Sequence, residues 1–178
     1  MIKSQEEYIR SISKPHLCNI DMDKCIENFD ENLFGSFKDK IDRETFDLKI
    51  SKSLCFNNKV IGGYLLDIHS MLDTISDIVY WVEKDILKDL EFYVDQKFLE
   101  QYKNKSGVLS DFIYIDKEYR GNNYANILIN YGKLLGDYVW GLSVPNETTE
   151  YWINKQGRIK ILEYKEGTDV IILTSTIL

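Results

Sequence analysis

The residues best suited to chemistry lie in a short loop that joins a predicted strand to a predicted helix. This loop, Arg120 to Ala125, follows an apolar strand pattern that ends at Ile115 and opens a helical pattern. The start of a helix has unpaired backbone N–H groups and the positive end of the helix dipole, and both favour phosphate. Gly121 lets a ligand approach the backbone, and Arg120 adds a fixed charge. The loop is therefore either a phosphate site or an ordinary strand-to-helix connection.

Histidine and cysteine offer little material for a metal site or a nucleophilic triad. The two histidines, His16 and His69, lack metal-ligand spacing, and a lone histidine such as His69 is more often structural than catalytic. The three cysteines, Cys18, Cys25 and Cys55, form no C-x-x-C pair and are odd in number. We therefore expect no metal, and we expect reduced cysteines that are buried as small hydrophobic residues.

Composition excludes several classes of partner. The chain has 178 residues, with 29 acidic against 22 basic side chains and a net charge of -7. An acidic balance argues against general nucleic-acid binding, which depends on Lys and Arg. The first seven residues contain no apolar leader, and the longest apolar stretch, 60–68, is too short to span a membrane. We expect a cytoplasmic protein that forms one domain, 1–178, with neither nucleic acid nor membrane as partner.

Hydrophobic patterning predicts the elements that position the loop. Alternation and apolar runs predict strands at 16–20, 46–50, 53–56, 59–68, 108–115, 137–144, 158–164 and 169–177. Asn57–Asn58 suits a tight hairpin turn, and the glycine pair Gly62–Gly63 indicates a bulge or a close backbone approach. Helical spacing predicts an N-terminal helical part, 1–45, and a helical insertion, 70–106. Further helices follow Tyr124 and run from the N-cap Asn146 to Gly157. This order predicts a mixed α/β (α+β) fold.

Three segments resemble the GCN5-related N-acetyltransferase (GNAT) superfamily. Residues 113–125 match a strand, an acidic turn and then Arg/Gln-x-x-Gly-x-Gly/Ala, with Arg120 first and Ala125 last. Asn123 replaces the middle glycine, and asparagine can adopt the positive φ that this place needs. Residues 56–64 resemble a hairpin that leads into Val/Ile-x-Gly. Residues 146–157 resemble the Asn-x-x-Ala helix that ends in Lys-x-Gly.

The resemblance implies a single mixed, mostly antiparallel sheet that is flanked by helices and splayed between its fourth and fifth strands. The helical insertion then lies between the third and fourth strands. The implied co-substrate is acetyl-CoA. Its pantetheine pairs with backbone of Phe112, Ile113, Tyr114 and Ile115, and its pyrophosphate rests on N–H groups of Arg120, Gly121, Asn122, Asn123, Tyr124 and Ala125. Asn146 caps its helix and also contacts the cofactor.

The implied reaction is direct attack of an amine on the thioester, which needs a base and an acid. Asp111 is the candidate base, although it can equally cap its strand or face solvent. The family often places a tyrosine acid where this chain has Ile153. Tyr151 is the substitute, provided that its helix is rotated or shifted.

The acceptor is an amine of a small molecule, a peptide or a protein. Acidic residues of the insertion would suit a cationic acceptor. Asn123 and Ile153 also leave open a catalytically silent domain of the same fold, which binds CoA or a protein partner. A third reading is an interaction protein that acts through the insertion. Exposed C-terminal strands would allow a homodimer.

Overall fold

A computed structural model describes residues 14–27, 47–85, 87–166 and 168–178. The other predicted parts of the N-terminal helical region, in 1–13 and 28–46, lie outside these ranges. The chain divides into two compact units, residues 1–67 with 111–132, and residues 68–110 with 133–178. The strands form a mixed, mostly antiparallel sheet flanked by helices, which confirms the predicted fold class.

The first unit has the strand order β1-β2-β3-β5. Its strands are β1 (His16–Asn19), β2 (Lys52–Phe56), most of β3 (Lys59–Ile68) and residues 111–115 of β5 (Gly107–Ile115). β1 pairs antiparallel with β2, and β2 pairs antiparallel with β3. The predicted turn is confirmed, because Asn57 and Asn58 have φ values of 49° and 61°.

The strand predicted at 46–50 is wrong over residues 47–50, which form a turn. The Asp47 carboxylate accepts a hydrogen bond of 2.9 Å from the N–H of Lys49. The Asp47 carbonyl accepts from the N–H groups of Ile50 and Ser51, at 3.1 and 2.9 Å. Aspartate at the start of a turn stabilises it in this way, and this local bonding outweighs the alternating pattern.

Two helices pack against strands of the first unit. α1 (Met22–Glu27) brings Met22 and Cys25 against Leu65 and Tyr114 in a small core. The close backbone approach predicted at Gly62–Gly63 is confirmed, since a Cβ on Gly62 would lie 2.8 Å from the backbone carbonyl oxygen of Tyr114. The later helix of this unit, Ala125–Gly132, packs on Tyr64, which neighbours Leu65 and therefore points to the other face.

Cys18 of β1 and Cys55 of β2 form a disulfide, so the prediction of three reduced cysteines is wrong for this pair. In the register, Cys18 lies opposite Ser53 and Cys55 lies opposite His16. The two cysteines are therefore diagonal neighbours, and their Cα atoms are 6.1 Å apart, which suits a disulfide. Cys25 is a buried free thiol, as predicted, and burial raises its pKa to about 12.

The second unit has the strand order β5-β6-β8-β7-β4. Its further elements are α2 (Met71–Glu83), β4 (Lys88–Phe92), α3 (Gln96–Glu100), β6 (Tyr138–Ser143), β7 (Ile159–Glu166) and β8 (Thr168–Thr174). β5 pairs in parallel with β6, through Gly107–Leu109 and Tyr138–Trp140. β7 and β8 have neighbours on both sides, so the exposed C-terminal strands expected for a dimer are not found there.

The core of the second unit joins α2 to the inner face of its strands. Met71, Ile75 and Ile78 of α2 pack with Tyr138 and Trp140 of β6 and with residues of β7 and β8. The Tyr138 hydroxyl accepts a hydrogen bond of 3.1 Å from the N–H of Met71. These contacts fix the start of α2 against β6.

The predicted helical insertion is only partly helical, because it contains the strand β4 between α2 and α3. Asp85 has a φ of 57° and Asp89 a φ of 48°, and residues in this left-handed conformation interrupt an α-helix. β4 pairs antiparallel with β7, with Leu90 opposite Tyr164. The segment therefore extends the sheet by one edge strand.

Candidate functional site

The loop Arg120–Ala125, which the sequence predicts as a candidate phosphate site, lies between β5 and the helix Ala125–Gly132, which we call α4. A 3-10 helix, Lys117–Tyr119, follows β5, and the N–H of Asp116 donates to the carbonyl of Ile61 at 2.9 Å. Gly121 has a φ of 81°, and Asn123 has a φ of 62°. Asn123 thus adopts the positive φ that its place in the loop requires.

Five consecutive backbone N–H groups of this loop, from Gly121 to Ala125, donate to no acceptor in the described part of the chain. The side-chain amides bind within the loop instead: Asn122 Nδ2 donates to the carbonyl of Tyr119 at 3.2 Å, and Asn126 Nδ2 donates to Asn123 Oδ1 at 2.7 Å. A run of unpaired N–H groups at the start of a helix binds anions, phosphate above all.

The Arg120 side chain is anchored to the strand that precedes the loop, β5. Its Nε donates to the carbonyl of Ile115 at 2.8 Å, while the side chain stays exposed. One of five N–H donors is used in this bond, so the terminal nitrogens keep their donors for an anion.

Aromatic rings support the loop from β2. The Phe56 ring lies 6.1 Å from that of Tyr119 and 6.0 Å from that of Tyr124, measured between centroids. The sequence gives no signal for this contact, because Phe56 belongs to a distant hairpin. The contact ties the end of β2 to the residue before the loop Arg120–Ala125 and to Tyr124 within it.

The predicted pantetheine-binding residues form the C-terminal part of β5. The Phe112 and Tyr114 rings stack at 5.7 Å, and Tyr114 and Ile115 are buried. Burial also raises the pKa of the Tyr114 hydroxyl. With the side chains of Tyr114 and Ile115 buried and those of Phe112 and Ile113 half-buried, the backbone of this segment is the part best placed to pair with a ligand. The backbone of Asp111 lies in β5, whereas its side chain is outside the described part.

In the second unit, Asn146 caps the helix α5 (Glu147–Gln156), as predicted. Its Oδ1 accepts hydrogen bonds from the N–H groups of Thr148 and Thr149, at 2.9 and 3.2 Å. These two donors fix which amide atom is oxygen, so Nδ2 is turned away from the helix. Nδ2 donates to no described residue and is available to a carbonyl oxygen of a ligand. Gly157 ends α5 with a φ of 64°.

A pair of hydroxyl groups beside this cap was not predicted. Thr149 Oγ1 donates to the carbonyl of Val144 at 2.5 Å and lies 2.6 Å from Ser143 Oγ. Because a hydroxyl has one proton, Thr149 must accept from Ser143. Ser143 therefore keeps only its lone pairs for other groups.

The candidate acid Tyr151 lies on the surface of α5, with 38% of its area exposed. Its Oη accepts a hydrogen bond of 2.8 Å from Gln156 Nε2, so its own proton is directed elsewhere. Ile153 is half-buried on the same helix.

Arg158, which the sequence did not single out, is a buried cation next to this helix. It is 8% exposed, and its guanidinium carbon lies 4.1 Å from the centroid of the Trp152 ring. A Cβ on Gly141 would lie 3.4 Å from Arg158 Nη1, so the glycine leaves room for the guanidinium. This cation–π contact holds the end of α5 against β6.

Two classes of site have no counterpart in the part of the chain that the structure describes. Within it, no group of three or more His, Cys, Asp or Glu side chains could hold a metal ion. Over the same residues, no helix combines the length and apolar character that a membrane crossing requires.

By sequence, no family model and no curated protein matches the chain. By structure, it is similar to a GNAT-family acetyltransferase of Streptococcus agalactiae, with 12% identity, a TM-score of 0.60, and coverage of 92% of this chain and 95% of that chain. It is also similar to a polyamine N-acetyltransferase of Drosophila melanogaster that forms N-acetylagmatine, with 8% identity, a TM-score of 0.57, and coverage of 92% and 100%. A GNAT-family acetyltransferase of Bacillus cereus gives 14% identity, a TM-score of 0.55, and coverage of 93% and 99%. The chain has the fold of the GNAT acetyltransferases.

Proposed function

We propose that the chain is an acyl-CoA-dependent N-acyltransferase that transfers an acetyl group from acetyl-CoA to an amine. The observation that carries this proposal is the run of five N–H groups from Gly121 to Ala125 that donate to no described residue, with Arg120 beside them. Several donors and a fixed cation in one loop suit a pyrophosphate. The GNAT fold supports the same conclusion, because the structural neighbours named above are acetyltransferases.

The proposed cofactor contacts are backbone and amide groups. The loop Arg120–Ala125 binds the pyrophosphate, and the backbone of Phe112–Ile115 pairs with the pantetheine arm. Asn146 Nδ2 is a further donor to a carbonyl oxygen of the ligand. These backbone and amide groups are already held in position in the unbound protein. Less conformational entropy is therefore lost when the ligand binds.

Acetyl-CoA supplies the acetyl group as a thioester, and side chains of the protein accept and donate the protons that the reaction transfers. The amine nitrogen loses one proton as it bonds to the acetyl carbon, and the departing sulfur gains one. We assign the first transfer to the Asp111 carboxylate and the second to the Tyr151 hydroxyl. Tyr151 accepts its hydrogen bond from Gln156, so the hydroxyl proton is available for this transfer.

The acceptor is a cationic amine. The segment 70–106 carries eight acidic residues against five lysines, and the whole chain has a net charge of -7. Such a field attracts a protonated amine before it is deprotonated for attack. Neutralising Asp73, Asp77 and Glu83 together should raise the KM for the amine, and unchanged acceptor kinetics would contradict this part of the proposal.

The direct test is calorimetric titration with CoA and acetyl-CoA, followed by thiol release across a panel of polyamines, peptides and protein N-termini. We expect both ligands to bind and at least one amine to release CoA. Absence of CoA binding would exclude the acetyltransferase and the silent CoA-binding domain together.

The second candidate is the silent domain, and Ile153 at the usual place of the acid favours it. The other departure, Asn123, no longer does, because its φ of 62° gives the loop the required shape. CoA binding without thiol release from any amine would favour this candidate.

A further inference from the structure

We propose that the Cys18–Cys55 disulfide is a thiol-exchange site that controls how tightly the loop Arg120–Ala125 binds its phosphate-bearing ligand. The inference rests on the proposed function of that loop. In the oxidised protein the loop is held in its binding shape, and reduction by a dithiol loosens it.

The disulfide holds a weak part of the first unit. β1 has only four residues, and among the described strands it lies at the end of the order and pairs with β2 alone. The pairing of β2 with β3 shifts register between Leu54 and Cys55. A register shift of this kind disrupts the hydrogen-bonded ladder locally. The ladder beside Cys55 is therefore irregular, although Cys55 and Phe56 still pair with Val60 and Lys59, and the covalent bond to Cys18 adds a constraint at this point.

A short chain of contacts joins the disulfide to the loop. Phe56 follows Cys55 directly, and its ring packs against Tyr119 and Tyr124 at centroid distances of 6.1 and 6.0 Å. Those two tyrosines flank Gly121 and Asn123, which have the positive φ values that shape the loop. Any displacement of the end of β2 therefore moves rings that support the loop.

A reductant can reach the bond. Cys18 and Cys55 are both half-buried and line an open cavity of about 700 Å³, together with Asp21, Leu48 and Val60. Cys25 is buried and does not line this cavity. The exchange therefore needs an external thiol rather than Cys25.

The chemistry is a two-step exchange. A thiolate of the dithiol attacks one sulfur of the disulfide, the S–S bond breaks, and the other cysteine leaves as a thiolate that takes up a proton. The second thiol of the reductant then attacks the mixed disulfide and releases the remaining cysteine. Two electrons and two protons pass to the protein, and the reductant leaves as its own disulfide. Cytosolic thiols are reductants of this class.

The test compares oxidised and reduced full-length protein, with 3′,5′-ADP as a phosphate probe that carries no thiol of its own. Calorimetry should give about fivefold weaker binding after reduction with dithiothreitol. A change of this size is at the lower end of the affinity changes that coupled sites usually show. Hydrogen exchange at the amides of Gly121–Ala125 should become faster in the same sample. Differential alkylation with mass spectrometry confirms that two further thiols have appeared.

Matched variants separate the disulfide from other effects. The double variant Cys18→Ser/Cys55→Ser should bind as the reduced protein does, with or without reductant. Cys25→Ser should keep the full response, because this thiol is outside the bond. Equal affinity and equal exchange in the two redox states would overturn the inference, as would failure of the bond to form under oxidising conditions. If the oxidised protein binds neither 3′,5′-ADP nor CoA, the proposed function fails, and the exchange measurement still decides whether the disulfide controls the loop.

Discussion

The Nε of Arg120 donates a hydrogen bond of 2.8 Å to the carbonyl oxygen of Ile115, the last residue of β5. The strand that is proposed to pair with pantetheine therefore also anchors the cation that is proposed to meet the pyrophosphate. Because this hydrogen bond fixes Nε of the planar guanidinium, the remaining N–H donors of the group are oriented before any ligand binds.

Reversing this charge should damage cofactor binding. We expect Arg120→Glu to weaken CoA binding by about tenfold or more, since hydrogen bonds to a charged group each contribute about 1.5–3 kcal/mol. Lys117→Glu is the control, because it makes the same change of charge on the exposed side of the neighbouring 3-10 helix. Calorimetry on both variants checks this. Equal losses would mean that overall charge, and not the loop, governs affinity.

Asn123 should tolerate glycine better than alanine. Its φ of 62° costs a residue with an ordinary Cβ roughly 1–2 kcal/mol, and glycine pays no such penalty. We expect Asn123→Ala to be less stable than Asn123→Gly by about 1 kcal/mol in urea unfolding. Asn123→Gly should still bind CoA. Loss of binding in the glycine variant would show that the asparagine side chain, rather than the backbone shape, is needed.

Asn146→Asp should separate capping from cofactor binding. A carboxylate still accepts from the N–H groups of Thr148 and Thr149, and a negative charge at a helix start is favourable. The thermal midpoint should therefore stay the same or rise. CoA affinity should fall several-fold, because the Nδ2 donor has become an acceptor. An unchanged affinity would leave Asn146 as a cap only.

Tyr151→Phe should slow the chemical step without lowering the affinity for CoA. Removing a general acid commonly lowers kcat by about 100-fold or more, and we expect the Kd for CoA to stay the same. Tyr80→Phe, at another exposed tyrosine, is the matched control. If Tyr151→Phe keeps full kcat, water or another group protonates the leaving thiolate.

Opening the disulfide should lower stability whether or not it changes binding. Cys18 and Cys55 are separated by 37 residues, and closing a loop of that length stabilises a fold by about 4 kcal/mol in the chain-entropy view. Urea unfolding of oxidised and reduced protein should show this difference. Cys25→Ser should leave the difference intact.

Local chemistry was the part of the fold that sequence predicted well. A particular backbone conformation or a close approach is needed at Asn57–Asn58, Asn123 and Gly62–Gly63. Asparagine and glycine are the residue types that favour such positions, so the sequence predicts them. The loop Arg120–Ala125 and the Asn146 cap were found for the same reason. In each case the determining interactions lie within a few residues of one another.

Contacts between distant residues were missed. The helical pattern across 70–106 did not reveal β4, because that strand is defined by its pairing with β7, which is distant in the sequence. The Cys18–Cys55 bond depends on β1 lying beside β2, which cysteine spacing does not show. The Phe56 contact with Tyr119 and Tyr124 likewise depends on the assembled sheet.

β4 has a consequence for solubility. It covers the side of β7 that would otherwise present unpaired N–H and C=O groups, the usual starting point for aggregation of sheets. Its own edge is short and acidic, and it is distorted at Asp89, which discourages strands of other molecules from joining it. A shortened chain without residues 70–106 would expose β7 and precipitate at concentrations where the full chain stays dissolved. The insertion therefore ends the sheet with an edge strand to which strands of other molecules do not readily add.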